Sequence, residues 1–267
     1  MKKIFIVPLL AIGFSVMSSC YTNPVTGRKS LNLAPESDMR TTATGQYTTF
    51  LTENKAVVGT ADAEMVKRVG AKLAAATQQY LANIGKADVI SGYQWEYNLV
   101  NNPDVNAWCM PGGKIVVYSG ILPLTQTETG LAVVMGHEIA HAVSRHGNER
   151  MSQQLTQQLG GEALSVALSG QSEKARQLYN GVYGIGTNVL YILPYSRSHE
   201  SEADEIGLYI MAMAGYNPDE AVSFWQRMSA KGGAKPAEWM STHPSDQTRI
   251  NNIKTLLPKA KQYYKPQ

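Results

Sequence analysis

The sequence predicts an α+β fold that is mainly α, with a small sheet set before a central helix. Three observations carry that prediction. Apolar residues recur at helical spacing in several long stretches, period-two alternation is confined to one short region, and no internal repeat divides the chain. At 267 residues with 43% apolar content, there is enough chain to bury one sizeable core.

The first nineteen residues differ in kind from the rest. Lys2 and Lys3 precede the apolar run "IFIVPLLAIGF", and "SVMSSC" then supplies small residues ending at Cys20. This is the order of a bacterial secretion signal, and the run is too short and Pro-interrupted for a comfortable membrane span. Small residues before a cysteine suggest lipoprotein processing with acylation of Cys20. Met17 departs from that pattern, and the plainer alternative is an ordinary signal with an incidental cysteine. The expected location is the bacterial cell envelope, lipid-anchored through Cys20 at the outer membrane and facing the periplasm. Loss of Lys2 and Lys3 lowers the formal charge of +3 by two, which leaves no case for a nucleic-acid partner. A lipidated Cys20 leaves Cys109 unpaired, so no disulfide framework is expected. No later apolar run reaches bilayer length.

Residues 20–35 contain "YTNPVTGRKSLNL", rich in turn formers, and read as the lipidated N-terminus and a linker. Residues 36–267 read as one domain. Within it, Met65, Val66, Val69, Leu73 and Ala76 predict a helix over 61–81. Tyr93, Trp95, Tyr97 and Leu99 alternate with polar residues, a half-buried strand; "NNPD" turns the chain, and "KIVVYSG" is a second strand. Thr125 opens a T-x-x-E capping box with Glu128, predicting a helix to about His146. Further helices are expected over Met151 to Leu168, Ser196 to Gly215, from Asn217-Pro218, and through "HPSDQTRINNIKTLL", with Ile250, Ile253 and Leu257 on one face.

The central helix carries "VVMGHEIAHAV". His137 and His141 are one turn apart, so both imidazoles leave the same side, as two ligands of a tetrahedral zinc require. Glu138 can reach a water at that metal without ligating it and take its proton as it attacks a peptide carbonyl. This is the H-E-x-x-H pattern of zinc metallopeptidases; a chance match in a chain of this length has a probability on the order of 1%. A structural zinc does not need a glutamate between the histidines. A third ligand is required, and "YSRSHESEADEIG" offers Glu200 and Asp204 at i and i+4, with Glu202 pointing away. Glu200 can bind zinc, and Asp204 can accept the second imidazole N–H of a ligand histidine. The same residues equally suit a solvated acidic helix face.

"GHEIAHAVSRH", "SRSHESEADEIGLYIMAMAGYNP", "NPVTGRKSLNL", "NAWCMPGGKIVVYSGIL" and "STHPSDQTRI" together resemble the metallopeptidase family of the CaaX prenyl protease, HtpX, BepA and the Oma proteases. Their order is the family's, they spread over most of the chain, and the likeness is greatest to the soluble BepA-like and Oma-like branch. The resemblance implies a minimal gluzincin, or zincin-like, fold with one Zn2+ per chain held by His137, His141 and Glu200, and Glu138 as general base. It implies that "NAWCMPGGK", with Asn106, Pro111 and Gly112, borders the substrate cleft, where a strand edge can pair with an extended peptide. Cys109 within it reads as a small buried hydrophobe. His243 is expected as a fourth ligand or gate, the alternative being a capping histidine bonded to backbone. Arg249 contacts a substrate carboxylate or pairs with Asp246, and Arg197 braces the acidic helix around Asp204. The expected partners are unfolded or misassembled envelope proteins as substrates in quality control. The competing reading is a chaperone-like outer-membrane assembly factor whose zinc site is plugged by His243.

Overall fold

A computed structural model describes residues 20–159, 196–230, 243 and 247–266. The expected signal over 1–19 and the helical stretch from 160 to Leu168 lie outside the described residues.

The chain opens with two short antiparallel strands, β1 (Cys20–Thr22) and β2 (Lys29–Leu31), paired Cys20↔Leu31 and Thr22↔Lys29. Their turn is built by Asn23, whose Oδ1 accepts from the backbone N–H of Val25 at 2.9 Å and Thr26 at 3.2 Å. The hairpin is not a free linker. Tyr21 donates its hydroxyl to Val143 O at 2.9 Å, and Asn23 Nδ2 donates to Ser144 Oγ at 2.9 Å, so it is docked on the end of the central helix.

Helix α1 (Glu36–Glu53) follows, burying Met39, Ala43 and Tyr47 at i, i+4, i+8. Helix α2 (Ala61–Asn83) is capped by Thr60, whose side chain accepts from Ala63 N. Then come β3 (Glu96–Val100), β4 (Ala107–Met110) and β5 (Lys114–Tyr118). They form a sheet in the order β3-β5-β4, with β5 parallel to β3 and antiparallel to β4. The short strand β4 was not distinguished from the alternation in sequence, because its four residues complete only two periods. β5 is buried throughout, as a central strand covered on both faces must be. The outer side of β3 is partly closed by Ala56 and Val57, the latter donating its N–H to Leu99 O at 2.8 Å, while β4 forms the other edge.

A short helix α3 (Leu122–Thr125) leads into the central helix α4 (Glu128–Val143). The N-cap of α4 is Thr127, accepting from Gly130 N at 3.0 Å, and not Thr125. Gln126 at φ 60 reverses the chain between the two helices, so Thr125 closes the first and cannot open the second. Every residue of α4 from Gly130 to Val143 is buried. After Ser144 and Arg145 (φ 57) the chain turns into α5 (His146–Leu159). Helix α6 (Arg197–Met213), capped by Ser196, lies across α4; α7 (Glu220–Ala230) and α8 (Gln247–Ala260) pack beyond it. Gly215 at φ 88 ends α6 as a left-handed C-terminal glycine.

The α4–α6 crossing positions the site. A Cβ on Gly207 would fall 3.0 Å from His137 N, and one on Gly136 would fall 3.2 Å from Gly207 O. Two glycines therefore let the helix backbones meet beside His137. The main core gathers α2, α4, α6, α7 and α8 against the sheet, and a smaller cluster of Met39, Tyr47, Val116, Met151 and Leu155 lies under α1. No helix among the described residues is long and apolar enough to cross a membrane.

Candidate metal centre

All five histidines of the chain are buried, and they lie together. His137 and His141 leave one face of α4 with their Nε2 atoms 3.0 Å apart. Glu200, in the first turn of α6, brings Oε1 within 3.3 Å of His141 Nε2 and Oε2 within 3.5 Å of His137 Nε2. His243 adds Nδ1, 3.2 Å from His137 Nε2 and 3.0 Å from Glu200 Oε1. One donor atom from each of the four residues lies within 4.8 Å of the others. Three imidazole nitrogens facing one another share too few protons to satisfy every pair, whereas one cation satisfies all the lone pairs. A nitrogen-rich set with one carboxylate suits a divalent transition metal.

The outward nitrogens of the two helix-borne histidines are held as well. Asp204 Oδ1 lies 3.0 Å from His137 Nδ1, and His146 Nδ1 lies 2.8 Å from His141 Nδ1. Such partners fix the tautomer and leave Nε2 for a metal. Burial opposes a proton on His137, but Asp204 and Glu200 outweigh it and raise its pKa to about 9. Burial pushes His141 well below the usual histidine range. Burial likewise opposes charge on Glu200, yet His243 and Arg249 hold its carboxyl well below the ordinary range.

Glu138 is buried beside the ligands, and His243 Nε2 is 3.5 Å from its Oε1. His243 thus reaches the ligand cluster with one ring nitrogen and Glu138 with the other. Cys109, on β4, which packs against α4, has its thiol pKa pushed well up, first by burial and then by the charge of Glu138. A buried, protonated thiol is inert.

Several expected placements differ. Arg249 is buried rather than lining a cleft: Nη1 lies 2.5 Å from Glu200 Oε2, and Nε and Nη2 lie 2.8 and 2.7 Å from the two oxygens of Asp204. Its guanidinium stacks 3.4 Å above Trp225. It, and not Arg197, braces Asp204, because Arg197 is exposed at the start of α6 about two turns away. Pro111 and Gly112 are buried in the β4–β5 turn, with Arg40 against Gly112. Asn106 is half-buried just before β4, its Oδ1 accepting from Ala107 N at 2.8 Å. Cys20 is exposed at the start of β1.

Glu202 does not point to solvent. α6 is covered on its second side by the hairpin, and Glu202 accepts from His146 Nε2 at 2.8 Å and Arg28 Nε at 2.8 Å, with the Thr26 hydroxyl on its other oxygen. Arg28 also forks onto Glu149 at 2.9 and 2.7 Å, and His199 Nε2 is 3.0 Å from Glu149. The sequence alone assigned no place in this layer to Thr26, Arg28 or Glu149. The layer's signal was the third histidine of "HEIAHAVSRH" and the polar "NPVTGRKS", whose meeting depends on tertiary packing.

A helix presenting His-Glu-x-x-His, with a glutamate arriving from a second helix, defines a metallopeptidase centre in a zincin-like fold. The chain belongs to Peptidase family M48, whose match spans residues 61–257. It is 39% identical over 177 residues to the mitochondrial metalloendopeptidase OMA1 of Schizosaccharomyces pombe, covering 64% of this chain and 49% of that one. The mitochondrial metalloendopeptidase OMA1 of Bos taurus is 33% identical over 257 residues, 89% of this chain and 46% of that one. The beta-barrel assembly-enhancing protease of Yersinia pestis is 28% identical over 191 residues, 66% and 38%. The chain spans about half or less of the length of these curated relatives. The expected placement in a bacterial envelope is corrected by this comparison: the relatives matched over 89% of the chain are mitochondrial proteins of eukaryotes, not bacterial outer-membrane lipoproteins.

Proposed function

We propose that the protein is a zinc endopeptidase, with His137, His141 and Glu200 holding one Zn2+ and Glu138 as general base. The observation that carries this reading is the convergence of those three ligand atoms with Glu138 beside them. When bound, the metal supplies Lewis acidity that makes a water nucleophilic near neutral pH. Glu138 would hold the proton taken from the attacking water and pass it to the departing amine. Asp204 and His146 keep the ligand imidazoles in the required tautomer, and Arg249 holds the carboxylates of Glu200 and Asp204 in place. Substrate would lie along β4, the sheet edge packed against α4, which favours extended backbone and therefore unfolded polypeptide. That preference is the support for a role in protein quality control.

Unfolded casein tests the mechanism. Wild type should cleave it, and a Glu138→Gln variant that retains the metal should show no cleavage; undiminished cleavage by the variant would refute the assignment.

His243 favours a second state of the same site. Its Nδ1 stands where a fourth ligand would stand, and its Nε2 faces Glu138. In this reading the enzyme rests latent, with His243 excluding water from the metal and from the base.

A further inference from the structure

We propose that the N-terminal hairpin positions the metal ligand His141 through Arg28, Glu202 and His146, and so sets how tightly the metal is held. This rests on the reading that His141 is a ligand.

The two helix-borne ligands are supported differently. His137 meets a carboxylate directly, at Asp204, within the set of helices that carries the site. His141 meets another imidazole, and a neutral imidazole orients its neighbour only if its own tautomer is fixed. With His141 Nε2 given to a metal, its Nδ1 carries the proton and donates to His146 Nδ1. His146 must then be protonated on Nε2, and Glu202 Oε2 lies 2.8 Å away to accept. The direction of both hydrogen bonds follows from Glu202 being an acceptor only.

Glu202 is itself held by the hairpin. Arg28 Nε bonds it at 2.8 Å and Thr26 Oγ1 donates to its second oxygen; among the described residues, these two and His146 are its hydrogen-bond partners. Arg28 then forks onto Glu149 of α5 with Nη1 and Nη2, so one guanidinium ties α6, α5 and the hairpin together. His199 stacks on His146 with ring centroids 4.5 Å apart and a tilt of 24°, which fixes the plane of the relaying ring. The hairpin is anchored independently by Tyr21 on Val143 O and Asn23 on Ser144, both at the end of the helix that bears His141. Arg28 is thus a positioning residue about the thickness of two side chains from the ligand, and it sits in a segment that the family match at 61–257 does not include.

The test is the dissociation constant for Zn2+, measured on the full chain by competition with a chromophoric chelator. Arg28→Ala should weaken binding ~10- to 100-fold, the usual effect of losing an outer partner of a metal ligand. Arg28→Lys, which keeps charge but loses the fork, should recover only part of that loss. If the relay runs through His146, Arg28→Ala added to His146→Ala should cost no more than His146→Ala alone. Glu202→Gln, which preserves shape, serves where circular dichroism shows that metal-free Arg28→Ala has lost its fold, and should weaken binding about tenfold. Affinity within twofold of wild type in the folded variants, or losses at Arg28 and His146 that simply add, would overturn the proposal. A wild-type chain that binds no divalent metal would overturn the metal-site reading, and this inference with it.

Discussion

At the scale of single residues, burial decides what each charged group must do. Arg249 is enclosed by Glu200, Asp204 and the Trp225 ring, so removing it leaves two buried carboxylates with histidines as their remaining partners. Arg249→Ala should therefore cost about 3–5 kcal/mol in chemical denaturation, far more than a surface ion pair of about 0–1 kcal/mol. His243 makes the opposite prediction for activity. In the latent reading, His243→Ala raises basal casein cleavage with metal content unchanged; a fall in cleavage at equal metal content would instead mark His243 as a substrate-binding group. The helix-borne part of this site was legible in the sequence. His137 and His141 share a face by spacing alone, and Glu200 and Asp204 share another. The roles of Arg249, Arg197 and Glu202 were not legible, because each depends on which element covers the helix from outside.

Among the elements, the α4–α6 crossing fixes the geometry of the centre. Gly207 would gain helix propensity as alanine, up to about 1 kcal/mol, but its Cβ would meet His137 N at 3.0 Å. Overpacking of that kind costs about 1–3 kcal/mol and should win. Gly207→Ala is thus expected to lower the denaturation midpoint and to weaken metal binding, because it displaces the backbone that carries His137; a stabilised variant would contradict the close crossing. The remaining elements differ in how readable they were. Helices α2, α6 and α8 followed from apolar spacing and caps. Helix α1 had no such pattern: it is rich in threonine, and its hydroxyls bond back to the helix, as Thr44 does to Arg40 O at 2.9 Å. The start of α4 was misplaced because Thr125 and Thr127 both offer a capping hydroxyl, and only the backbone at Gln126 distinguishes them.

For the whole molecule, the hairpin, α5 and α6 are joined by one buried set of charges, and that set responds to acid. Burial opposes ionisation of Glu149, but His199 and Arg28 outweigh it and lower its pKa from 4.5 to about 2. A carboxyl depressed in the folded state contributes stability above its unfolded pKa and loses it as pH falls through the folded value. Wild type should lose stability between pH about 4.5 and about 2, and Glu149→Gln should lack that part of the slope, as read from denaturation midpoints across the range. The turn-rich residues 20–35 gave no sign of this role, since docking on α4 and α6 arises only when distant segments meet.

The central claim is that one divalent metal sits between His137, His141 and Glu200. X-ray anomalous scattering at the zinc edge from crystals of the metal-loaded chain tests it directly. A single strong peak at bonding distance, about 2.0–2.2 Å, from both Nε2 atoms and a Glu200 oxygen is the expected result. A loaded chain whose only peak lies away from these three atoms would contradict the account.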